Sequence, residues 1–165
     1  MLRRLRETGP VLLVPLAWVF ATAAHLELLA TRSVLVGHVV MSVLLFGFAV
    51  LSWGDMREHP VLRAWLAVIV LGFGVTLVGA YALATGRGAP LTTFAVFGWM
   101  LLPAVALGYT GRVLPREEGA WAYTLGGVLS GVGAVVFLSG VATLPALALA
   151  GVGQTVGIVT AVVEY

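Results

Sequence analysis

Between Ala120 and Val163 the chain carries no charged residue. As one continuous helix, at 1.5 Å per residue, this stretch would run roughly 65 Å, about twice the ~30 Å hydrocarbon core of a bilayer. It is too apolar to face water and too long to cross a membrane once. Two spans with a turn between them are therefore expected. The break falls in "SGVATLPA", where Gly140 and Pro145 bracket a turn, giving spans over 121–139 and 144–163.

The same reading extends upstream. Apolar runs over 11–30, 34–53, 64–85 and 89–109 each approach the ~20 residues needed to cross lipid as helix, and short charged segments part them. Of the 165 residues 61% are hydrophobic and 10% charged, far below the ~25% charge that a water-facing domain of this size needs. The expected fold is all-α: a polytopic integral membrane helix bundle of six transmembrane helices, one domain over 1–165. A membrane barrel would instead alternate apolar and polar residues over roughly ten positions per strand, and no such alternation occurs. Three turns on one side share Ala-Thr followed by Leu, at Thr31, Thr85 and Thr143. This suits three tandem helical hairpins, although the abundance of these residues explains the likeness equally well.

Arginine sets the expected orientation. Arg3, Arg4 and Arg6 precede the first span, Arg57 and Arg63 lie between the second and third, and Arg112 and Arg116 between the fourth and fifth. The opposite turns hold only Arg32 and Arg87. The positive-inside rule then places both termini in the cytoplasm of a multi-pass cell-membrane protein. Trp53, Trp65, Trp121 and Tyr123 fall near the same interface, where amphipathic rings settle. Such scattered loop arginines form no basic stripe, so nucleic acid is not an expected partner. The N-terminal segment also has the charged, apolar and A-x-A-like parts of a cleavable signal. Against that, the apolar run continues past Ala23 and Pro15 interrupts its core.

The first hairpin holds most of the ionisable groups found within apolar sequence. In "AHLELLATRSVLVGH", His25 and His38 flank a turn centred near Thr31 and Arg32. If both spans reach that turn, the two imidazoles lie level, roughly 10 Å below the outer end. So placed, they would suit a metal ion or the axial positions of a b-type haem, provided both rings face inward. Glu27 points away from His25 on a continuous helix, and its expected partners are Arg32 or Arg87. With His25 and His38 it would otherwise line an outward vestibule for a proton or small solute. Hydrogen bonds to neighbouring carbonyls or interfacial water would account for the same histidines with no chemistry. His59, in "REHPVLR", reads as a solvated loop residue.

The last two spans are rich in glycine. Gly127 with Gly131, Gly126 with Ser130, and Gly153 with Gly157 are small-xxx-small pairs, which let helices approach closely in lipid. They predict packing of the fifth span on the sixth or, alternatively, a homodimer face. Gln154 needs a partner and should face the bundle. Pro103 should kink the fourth span.

Motifs narrow the function by what is missing. The chain has no cysteine, which removes thiolate catalysis, disulfides and Cys-ligated metals. No Walker loop, G-x-S-x-G or H-E-x-x-H occurs. The first expectation is a non-enzymatic membrane component that packs with itself or with a membrane partner. The second is a haem-binding electron-transfer subunit using His25 and His38, and the third a small solute or proton transporter.

Overall fold

The computed structural model describes residues 2–164, with side chains placed from residue 11 to residue 163. Six α-helices follow one another: α1 (Leu2–His25), α2 (Thr31–Glu58), α3 (Pro60–Thr85), α4 (Gly88–Val113), α5 (Ala120–Ser139) and α6 (Thr143–Glu164). A 3-10 turn at Arg116–Glu118 precedes α5. No strand occurs among the described residues. Helices α2 to α6 are long and apolar enough to cross a membrane. The described apolar part of α1, Val11–His25, is shorter. The molecule is an all-helical membrane bundle, the arrangement that lets every backbone N–H and C=O be satisfied within its own segment in lipid.

The helix ends have local causes. His59 is extended (φ −110°, ψ 134°) and alone separates α2 from α3. The Pro60 ring disfavours helical backbone at the preceding residue, yet suits the first helical position. The charged segment expected as a solvated loop is thus helical on both sides of a one-residue break. At the end of α3, Gly86 adopts the left-handed conformation (φ 65°) and donates its N–H to Ala82 O. Arg87 N–H reaches the same carbonyl at 3.1 Å. Gly140 (φ 69°) likewise ends α5 in left-handed backbone, donating its N–H to Phe137 O, so the break in the uncharged run falls between Ser139 and Thr143.

The first helix departs from the expected span. It stops at His25, and 26–30 form the connection to α2. Glu27 sits there at φ 58°, and Leu28 N–H closes the helix end on Ala23 O at 3.0 Å. The outer turns also differ in phase: Thr31 and Thr143 open helices, whereas Thr85 closes one. The Ala-Thr likeness among them is not a likeness of position.

By contacts the chain divides into two compact units, one of residues 1–22 with 103–165, the other of residues 23–102. Both divisions fall inside helices, in α1 after Thr22 and in α4 at Pro103. Helix α4 remains helical through Pro103.

In the first unit α5 packs on α6 through bare backbone. A Cβ on Gly126 would strike Gly153 O, and one on Gly153 would lie 2.5 Å from Gly126 O and 3.0 Å from Ser130 N. Gly133 repeats the contact against Ala146 O, at 2.7 Å from such a Cβ. Gly127 points elsewhere, onto Ala104 and Gly108 of α4. Among the described residues of this unit Leu107, Thr110 and Ser130 are the largest wholly buried side chains.

In the second unit side chains mediate the contacts. Phe46 on α2 meets Phe73 on α3 with ring centroids 6.1 Å apart. The Trp99 ring of α4 lies over Gly72 of α3, within 2.6 Å of where a Cβ would stand. Helix α2 is the least covered span, with 17% of its apolar window buried against 39% for α5.

Candidate functional site

The polar groups of the first hairpin all belong to the second unit, and the end of α1 decides their geometry. His25 is the last residue of that helix and is exposed. His38 lies seven residues into α2, about 10 Å along its axis. The level placement expected from symmetric spans is therefore corrected: one histidine is the last residue of its helix, and the other sits well inside its own. The cause is the early end of α1, which moves 26–30 out of the helix.

His38 is half-buried, with both edges of its ring engaged. Its Nδ1 lies 2.9 Å from Val34 O, one helical turn back. An oxygen acceptor there requires the proton on Nδ1, and in that neutral tautomer Nε2 would carry the lone pair. That nitrogen faces α3: a Cβ on Gly79 would lie 2.7 Å from Nε2 and 2.8 Å from Cδ2, with Ala95 Cβ 3.1 Å away. Gly79 thus provides the space the imidazole fills. In this rotamer the edge that would ligate iron is turned to helix backbone.

Glu27 lies on the exposed connection, in left-handed backbone that glycine normally occupies. The expectation that it points away from His25 on one helix therefore does not apply. No ion pair joins it to Arg32 or Arg87 among the described residues. Arg32 is exposed in the first turn of α2. Arg87 lies over the Tyr81 ring, 5.9 Å from its centroid, a cation–π contact. Among the described residues no three of His, Asp and Glu gather closely enough to hold a metal ion.

The most complete polar arrangement lies in the first unit, and sequence reasoning found one member of it. Gln154 on α6 is buried, as expected for an amide in lipid. Its Oε1 accepts from Trp18 Nε1 of α1 at 3.0 Å, and its Nε2 donates to Ser130 Oγ of α5 at 3.0 Å. Three helices are thereby tied by one amide. Trp18 lies against Gly151, where a Cβ would stand 3.1 Å from Trp18 Cβ. Its burial inside the span was the missed signal: the other tryptophans flanking charged segments read as interface anchors, whereas Trp18 is remote from any interface charge and needs an acceptor.

The second unit has a smaller counterpart. Trp99 Nε1 donates to Thr76 Oγ1 at 3.0 Å, and that hydroxyl donates to Gly72 O at 2.8 Å. Elsewhere hydroxyls of the spans bond back one turn along their own helices, as Thr22 to Trp18 O and Thr110 to Ala106 O do. No buried side-chain nitrogen or oxygen among the described residues lacks a partner.

Of the glycines expected to mediate packing, Gly127, Gly153 and Gly157 are in close contact within the chain, Gly157 against Leu107. Gly131 has nothing within 4 Å of a Cβ position, as is true of Gly47 and Gly54 on α2. No known family model, curated protein or solved structure matches the chain.

Proposed function

We propose that the protein is a non-enzymatic integral component of the cell membrane, which packs with a second copy or with another membrane protein. One observation carries this reading. Among the described residues no buried side-chain nitrogen or oxygen is left without a partner, and the most connected group, Gln154, is spent on Trp18 and Ser130 of the same chain. Groups so committed are not presented to a substrate.

What remains open is apolar. Helix α2 keeps Val39, Val43, Val50 and Leu51 outward, all more than half exposed. Gly47 and Gly54 lie on the same helix, open to close approach. In the proposed orientation both termini are cytoplasmic, because the N-terminus, the α2–α3 link and the α4–α5 link together carry seven arginines against two.

The haem reading draws on His25 and His38, and the transporter reading adds Glu27. The engagement of His38 with Val34 O and Gly79 favours the structural role over both. Size-exclusion chromatography with light scattering and an absorption spectrum, on protein purified in mild detergent after haem-replete expression, separates these readings. The proposal expects particles of two or more chains, or a co-purifying membrane protein, and no Soret band. A monomer carrying one haem per chain would overturn it.

A further inference from the structure

A cleft of about 280 Å³ opens where α4 gives way to α5, lined by Gly111, Arg116, Ala120, Trp121 and Thr124. Its floor exists because Gly111 has no side chain: a Cβ there would run into Thr124 Oγ1 and lie 2.7 Å from Ala120 O. Arg116 is the one charged residue of the lining. It is exposed and has no ion-pair partner among the described residues. The neighbouring ionisable residues, Arg112, Glu117 and Glu118, are not part of the lining.

A second feature adjoins the first. Trp121, 70% exposed, heads a row on α5 that continues through Leu125, Val128, Val132 and Val135, all outward-facing and spaced one helical turn apart. A cationic cleft at the end of a span therefore leads directly onto an apolar track running along that span. Tryptophan at the junction is the residue that settles at headgroup depth.

We infer that this cleft binds one anionic phospholipid, with the headgroup phosphate on Arg116 and an acyl chain along the Trp121–Val135 face of α5. Guanidinium matches phosphate oxygens with paired donors. The volume is small beside the ~300–1,000 Å³ of pockets that enclose a whole organic ligand, which suits a headgroup whose chains lie outside it. A net-anionic lipid is selected because a choline headgroup would bring its own cation to a cleft that already holds an unpaired one. The inference rests on the membrane fold alone and is independent of the assembly proposed above.

Native mass spectrometry of the full chain in mild detergent tests it, with phosphatidylglycerol, phosphatidylcholine and inorganic phosphate as probes. Wild-type protein is expected to retain one phosphatidylglycerol in preference to phosphatidylcholine. Arg116→Gln should weaken that binding roughly fivefold, the worth of one surface arginine toward anionic lipid. Arg63→Gln, which removes an exposed arginine outside the cleft, should leave it unchanged. Trp121→Ser gives a second reading at an exposed side chain and should also weaken retention. The inference fails if Arg116→Gln and Arg63→Gln behave alike, or if the two lipids are retained equally. It fails too if millimolar inorganic phosphate displaces the lipid, which would make the cleft a site for a soluble anion.

Discussion

Helices α5 and α6 meet backbone to backbone, whereas α2 and α3 meet through side chains. In the first pair Gly126 and Gly153 leave no room for a single carbon, and the contact continues at Gly133 against Ala146. In the second pair Phe46 meets Phe73 and His38 fills the space over Gly79. The difference follows from the solvent. Lipid tails are as apolar as leucine, so hydrophobicity does not drive helices together in a bilayer; close packing and interhelical hydrogen bonds do. The α5–α6 pair has both, the hydrogen bond being Gln154 to Ser130, while α2 remains mostly outward-facing. One region is a closed fastening and the other keeps an open face.

The sharpest way to break the comparison is to insert volume into the fastening. Gly153→Val should cost about 3 kcal/mol or more in detergent unfolding titrations, because the colliding atoms are backbone and cannot rotate away. Stability near that of wild type would mean that the two helices do not touch there. Next comes Gln154→Leu, which removes two interhelical hydrogen bonds and leaves the Trp18 indole without its acceptor. A loss of about 1–2 kcal/mol is expected, given the ~0.6 kcal/mol average and ~1.7 kcal/mol maximum for such bonds in membrane helices.

In the second unit the same kind of insertion should be gentler. Gly79→Ala presses on the edge of a rotatable imidazole and should cost about 1 kcal/mol. Much of that loss should be absent in a His38→Ala background, measured as a double-mutant cycle. Additive losses would show that His38 is not what fills the space over Gly79. The smallest effect is a gain. In the dissociated single chain Gly47→Ala on the open face of α2 meets nothing within 4 Å and should stabilise the helix by roughly 0.5–1 kcal/mol through backbone entropy. A loss there would show that a neighbour already occupies that face.

The gross architecture was legible because its signal is cumulative. Long uncharged runs mark spans whatever their order, and the break at Gly140 followed from the length of the last run. Gln154 was also legible, since an amide inside a span has few options in lipid. The misplaced features each depended on one turn of helix. Nothing in "HLELLATR" marks the end of α1 at His25, because Glu27 occupies a left-handed position with no glycine to announce it. Without that end the two histidines appear level when they are not. The partner of Gln154 was hidden for a different reason: Trp18 is remote in sequence, and only packing on Gly151 brings it there. The cleft at Gly111 was equally illegible, since it exists only where two helix ends come within backbone contact.

The absence of native cysteine makes the most direct test a clean one. Single cysteines at Val43 and Val135, which are 66% and 70% exposed on the chain itself, can be compared with cysteines at Arg57 and Arg87 in sealed bilayer vesicles. If these outward side chains face lipid, a water-soluble maleimide should leave positions 43 and 135 unlabelled. It should react at position 57 from one side of the membrane and at position 87 from the other. Labelling of Val43 and Val135 at the rate of Arg57 would place those faces in water and contradict the membrane bundle itself.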